Sequence, residues 1–145
     1  MQFELRPLEG RFVVERAKSP ADVDQDTWLA LVRAPEGLTV IRRATPTDPD
    51  ATERWSALYG GDTPHALDLP GVLARLLTPL AEAGVPVFVA STYDADVILV
   101  PEAQLTAAGQ ALGEAGVTVT SPAQESGTPP DATACGRPAP DAPPW

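Results

Sequence analysis

The sequence predicts an α+β fold with an antiparallel sheet, and three observations predict it. A helical apolar period runs from Val72 to Leu80, two apolar β-branched runs follow it around an acidic turn, and a second helix-to-strand unit closes at Val119. With 145 residues and a hydrophobic fraction of 43%, the chain can bury a real core in one compact domain or two very small ones.

In chain order, residues 12–16 read as a strand and residues 21–27 as a short helical or turn segment. Residues 28–32 and 38–41 read as a hairpin around Pro35-Glu36-Gly37. Residues 45–53, TPTDPDATE, are polar and interrupted by proline, so they divide the ordered chain in two and leave no room for a helix longer than one turn. Residues 55–59 form the next strand. The loop carrying Gly60, Gly61 and Pro64 then leads to Pro70-Gly71, where a helix starts with Val72, Leu73, Leu76, Leu77 and Leu80 on one stripe. Pro79 removes the amide that would reach back to Arg75, which predicts a bend and an early end, and Gly84 supplies the stop. Residues 85–92 and 97–100 are strands on either side of the turn Tyr93-Asp94-Ala95-Asp96. A second helix turns Leu105, Ala108 and Leu112 inward, with Gly109 and Gly113 expected to allow close packing and Gly116 to end it, before a last strand at 117–119.

The two helices run into their strands through the same words, PLAEAGVPV and ALGEAGVTV. The order strand, helix, strand, strand, helix, strand is the ferredoxin-like βαββαβ unit, whose helices cover one face of the sheet and leave the other face or an edge for a partner. The N-terminal half reads as an abbreviated version of that plan without its second helix. The expected organisation is a small unit over residues 1–50, the complete unit over 51–120, and a disordered Pro-rich tail over 121–145 that ends in Trp145.

Twenty acidic against ten basic residues give a formal charge of -10, which disfavours nucleic acid and anionic membranes as partners. No stretch approaches the roughly 18 apolar residues of a membrane span, and the N-terminus lacks the pattern of a secretory leader, so a cytoplasmic protein is expected. A single cysteine, Cys135, excludes an intrachain disulfide, and with one histidine in the chain no zinc site, other metal centre or cofactor is expected.

Catalytic chemistry has little to draw on. An enzyme would rely on His65 as a base with Asp62 or Asp68, yet no nucleophile motif accompanies it, and Gly60-Gly61-Asp62 lacks the rest of a phosphate loop. Binding has a mechanism. The first amides of a helix, here those of Gly71, Val72 and Leu73, lack intrahelical acceptors and lie at the positive end of the dipole, where a carboxylate is favoured. The stretch from Ser91 to Asp96 sets two carboxylates, Asp94 and Asp96, beside the hydroxyls of Ser91, Thr92 and Tyr93, which suits a cation. An anion site facing a cation site is what an amino acid requires.

The segment LPGVLARLLTPLAEAGVPVFVASTYDADVILVPE resembles the ACT domain family. The similarity is to the subgroup with a GILA-type helix start and a STYDTD-ILV strand pair, shared by small bacterial tandem ACT proteins and animal cytosolic arginine sensors. It is strong over residues 55–119, weaker over 3–44, and absent from the tail. The resemblance implies a ferredoxin-like regulatory module that associates in pairs and binds an amino acid between two units. Gly71 matches the family's ligand-facing glycine; Thr92, Tyr93 and Asp96 match pocket positions; the residue matching Asp96 faces the ligand's cationic end in the arginine-sensing relatives, and Asp94 is a second acidic position. Ala95 and Pro70 depart from the pattern, replacing a frequent Thr and a usual small hydroxyl residue. The expected function is a non-enzymatic amino-acid sensor, with the carboxylates favouring a basic, arginine-like ligand and a homodimer or regulated protein as partner. The alternative is a structural or interaction module without a working pocket.

Overall fold

A computed structural model describes residues 3–61 and 70–120. Its elements are β1 (Phe3–Pro7), β2 (Phe12–Ala17), a 3-10 turn (Pro20–Asp22), β3 (Trp28–Ala34), β4 (Gly37–Arg43), β5 (Trp55–Tyr59), α1 (Val72–Glu82), β6 (Phe88–Ser91), β7 (Asp96–Pro101), a second 3-10 turn (Glu102–Gln104), α2 (Leu105–Glu114) and β8 (Val117–Val119). From β5 onward the order is βαββαβ, in a mixed α+β chain. His65, Asp62, Asp68 and the tail lie outside the described residues.

The sheet branches at β5. On one side β5 pairs antiparallel with β7 along its whole length, and β7 with β6. On the other it meets two strands: β1 opposite Leu58 and Tyr59, and β2 through Phe12 opposite Trp55. Beyond β1 lies β8, parallel to it, so the N-terminal strand occupies the place between β5 and β8. A boundary at residue 50 would therefore cut a sheet: Phe3 and Leu5 of β1 are buried with Leu76 and Leu80 of α1 and Leu112 of α2.

Alternation along the strands sends their side chains into two layers. Leu58, Ile98 and Val100 face α1 and α2, which contribute Val72, Leu76, Leu80, Ala108 and Leu112. Burial of each of those larger apolar side chains is worth about 1.5–3 kcal/mol. Ala57, Val97 and Leu99 face the other way, and that face is not open as the sequence suggested. It is covered by Phe12 and Ile41, with Val14, Leu29 and Ala30 of the N-terminal strands beside them. This double cover explains the unbroken apolar run of β7, all six of whose residues are buried.

Over residues 12–43 the chain forms a three-stranded antiparallel sheet, ordered β3-β4-β2, and its only helical piece is the 3-10 turn capped by Ser19. Residues 44–54 connect β4 to β5, and two arginines hold them. Arg42 uses all five of its donors: Nε and Nη2 on Glu15 (2.6 and 3.1 Å), Nη1 and Nη2 on Asp48 (3.0 and 2.6 Å), and Nη1 on the carbonyl of Arg43 (3.1 Å). Arg54 donates to the carbonyls of Thr52, Asp48 and Pro49.

Three local expectations are corrected. The helix does not stop early at Pro79; α1 runs to Glu82 and closes in a Schellman motif, with Gly84 at φ 71° and the amides of Gly84 and Val85 donating to Ala81 and Leu80. A proline in the last turn loses one bond to Arg75, and the buried Leu80 just beyond it keeps the helix on the sheet. Gly109 and Gly113 do not mediate close packing, since a Cβ at either would meet nothing within 4 Å. Strand β6 begins at Phe88 rather than 85, because Val85 is taken by the helix stop.

Candidate functional site

The site expected from the sequence lies where the end of β5, the start of α1 and the β6–β7 hairpin meet. Gly71 is the N-cap of α1 with φ 82° and ψ 0°, a left-handed conformation that explains the glycine. Among the described residues no side chain caps the helix, and the first helical bond is from Arg75 N–H to the carbonyl of Gly71 at 3.1 Å. The amides at Gly71, Val72 and Leu73 precede any intrahelical acceptor.

Asp96 opens β7 on the helix side, in register opposite Ser91 of β6. Its side chain is carried into a buried position, with the residue 9% exposed, and Oδ1 accepts a 2.6 Å hydrogen bond from the Ser91 hydroxyl. Its carbonyl accepts from the amide of Gly60 at 3.1 Å, tying the end of β5 to the start of β7. Asp96 and Val72 line one cavity of about 10 Å³, together with Phe3, Glu4, Leu5, Gly60 and Leu76. That is room for about one water molecule.

The turn between β6 and β7 is held by Thr92, whose hydroxyl donates to the carbonyl of Ala95 at 2.8 Å and accepts from the amides of Ala95 and Asp94 at 3.0 and 3.3 Å. That hydroxyl is spent inside the turn. Tyr93, 80% exposed, and Asp94, also exposed, stand on the surface. Of the residues singled out in the sequence, Val72 and Asp96 thus share a cavity, while Gly71, Leu73, Thr92, Tyr93 and Asp94 do not line it. The sequence reading missed Gly60 and Leu5 as its neighbours. Gly60 lay in a segment read as a turn, and the alternation Phe3-Glu4-Leu5-Arg6 was the signal for a strand beside it.

Larger hollows lie elsewhere. A groove of about 410 Å³ beside α1 is bordered by Phe3, Arg75 and Glu82, and one of about 520 Å³ on the outer face of the N-terminal sheet contains the Arg42 network, whose guanidinium has no donor left. There the Asp48 carboxyl is held well below the usual carboxylate range, first by its bond from Arg42 and then by the Thr45 amide. The same bond to Asp48, then that to Glu15, raises Arg42 above its already high ordinary value. Among the described residues no cluster of His, Cys, Asp and Glu could hold a metal, and no helix is long and apolar enough to cross a membrane.

With the hairpin, the helix start and the cavity in place, comparison with known proteins shows what this part of the chain is similar to. Residues 50–114 match the ACT domain family. The ACT match covers β5 through α2 and suggests a regulatory module that binds a small ligand. No curated protein matches the chain. Among solved structures, the chain is similar to a protein of Agobacterium tumefaciens at 24% identity, covering 83% of this chain and 93% of that one with a TM-score of 0.69, a likeness of fold. It is also similar to a Vibrio cholerae protein described as of unknown function and a possible transport protein, at 25% identity, covering 80% and 88% with a TM-score of 0.66. Both likenesses extend beyond the ACT segment into the N-terminal strands.

Proposed function

We propose that this is a non-enzymatic, cytoplasmic regulatory protein that binds an amino acid at the start of α1. The α-carboxylate is received by the amides of Gly71, Val72 and Leu73, and the cationic end by Asp96. The observation that carries this reading is that Val72, in the first turn of α1, and the buried Asp96 border the same cavity. A helix start favours a carboxylate, and a carboxylate side chain favours an ammonium group. The ACT match to residues 50–114 supports a ligand-binding role.

The cavity of about 10 Å³ is far smaller than an amino acid, so the ligand's outer part rests against a second wall. A second copy of the chain or a regulated protein supplies that opposing surface. Ligand binding then shifts that association, because it favours the state in which both walls are present.

A second reading has an observation of its own. The small cavity also suits an interaction module that binds nothing small and uses the ACT fold for contacts alone. Thermal unfolding in the presence of each of the twenty amino acids separates the two. A ligand at a hundred times its Kd adds about 2.7 kcal/mol of stability. A shift with one of them that disappears in Asp96→Ala is expected; no shift at millimolar concentration leaves the interaction module, and a shift unchanged in Asp96→Ala removes Asp96 from the site.

A further inference from the structure

Among the described residues, three strands have a neighbour on one side only: β3, β6 and β8. β6 and β8 are four and three residues long, whereas β3 has seven. A long free edge offers N–H and C=O groups that another strand can pair, and proteins commonly guard it with proline, lysine or a bulge. β3 contains neither proline nor lysine, and its register against β4 shifts only between Trp28 and Ala30. From 30 to 34 it is regular, and its outward backbone groups make no bond to another described residue.

The side chains leave apolar surface uncovered as well. Trp28, Leu29, Leu31 and Val32 are large and apolar, yet none of the residues of β3 is buried, while Leu38, Val40 and Ile41 of the adjoining β4 are. Val32 is 51% exposed. Charge favours a second copy of the chain as the partner of this edge. The formal charge of -10 opposes self-association over most of the surface, but residues 11–43 hold six basic against five acidic side chains, so like molecules repel least there.

We propose that two copies of the chain pair their β3 strands antiparallel across a two-fold axis at Val32, joining their N-terminal sheets into one. The register follows from the strand itself. Val32 is the centre of the regular stretch, and an axis there sets Val32 against the partner's Val32, Leu31 against the partner's Arg33 and Ala30 against the partner's Ala34. An axis at Arg33 would place like charges directly opposite, and one at Leu31 would bring Leu29, within the shifted register, into the pairing. Such an interface is isologous, with the same patch serving both copies. It does not involve the start of α1 and is independent of whether an amino acid binds there.

Sedimentation equilibrium of the full-length chain tests this, at concentrations up to about 1 mM because so short a pairing makes a weak dimer. The mass should rise with concentration toward twice 15.2 kDa. Val32→Lys, at an exposed position, should leave the cooperative thermal unfolding of the monomer in place and weaken association by at least about tenfold, since it sets two ammonium groups face to face. Register is read by cross-linking in a Cys135→Ser background with diamide as the oxidant. Val32→Cys should form a disulfide-linked dimer, because directly opposite residues lie within disulfide reach; Ala30→Cys should not, its two copies being displaced by about 13 Å along the strands. A monomer at every concentration overturns the proposal, and so does a dimer that Val32→Lys leaves as tight or that Val32→Cys does not link. Amide exchange tests for an edge covered in another way. Protection of alternate amides from 30 to 34 that does not change with concentration would mean that the chain's own remaining residues cover β3, and would overturn the proposal as well.

Discussion

Arg42 and Asp48 meet through two hydrogen bonds, at 3.0 and 2.6 Å, with side chains only 16% and 10% exposed. Asp48 also accepts from the amide of Thr45 at 2.7 Å, so one carboxylate holds the start of the segment that joins β4 to β5. The Asp48 carboxyl is depressed in the folded state, chiefly by Arg42. A depressed carboxyl contributes stability above its unfolded value, near 3.9, and loses it as pH falls through the lower folded value. Acid unfolding followed by circular dichroism should therefore show stability falling below about pH 4. In Asp48→Asn the protein should be less stable at neutral pH and lose less on further acidification; an identical pH profile would deny Asp48 this role.

Strand β1 ties the N-terminus to the helices. Leu5 is 1% exposed and packs in the cluster that includes Leu76, Leu80 and Leu112. Leu5→Ala should cost about 2–5 kcal/mol in urea unfolding, in a single transition. A chain starting at residue 51 lacks this strand and should fail to unfold cooperatively; a cooperative transition from it would mean that the C-terminal segment folds alone.

Ser56 makes the opposite point. It is 3% exposed in β5, opposite Val100, and its hydroxyl is buried without a hydrogen-bond partner among the described residues. Removing an unpaired buried hydroxyl relieves part of its desolvation cost, so Ser56→Ala should leave the protein as stable or more stable by about 1 kcal/mol. A loss of more than that would reveal a bond made by this hydroxyl in solution.

Gly71 is required for its conformation, not for space. A Cβ there meets nothing within 4 Å, while φ is 82°. Gly71→Ala should cost about 1–2 kcal/mol from backbone strain alone. D-alanine, introduced by semisynthesis, adopts positive φ freely and should restore stability; failure to do so would point to a contact at this residue.

The local part of the fold was legible because it is written in short periods. The stripe from Val72 to Leu80, the stops at Gly84 and Gly116, the hairpin around Pro35-Glu36-Gly37 and the strand pair flanking Asp94 all follow from spacing within a dozen residues. The site was legible to the same depth. Gly71 and Asp96 stand at a helix start and a strand start because local signals put them there, whereas the burial of Asp96, its bond from Ser91 and the size of the cavity depend on how those pieces pack.

By itself, then, the sequence determined the βαββαβ order, the ends of its helices and the residue types gathered at the candidate site. Only the tertiary structure decided that β1 enters the sheet between β5 and β8, and that Phe12 and Ile41 cover the face that seemed free. Pairing of Phe3 with Val117 joins positions more than a hundred residues apart, and no periodicity records such a contact. Helix and hairpin signals are local because each hydrogen bond closes a short loop, while a sheet's neighbours are chosen by which apolar faces remain to be buried once those local pieces exist.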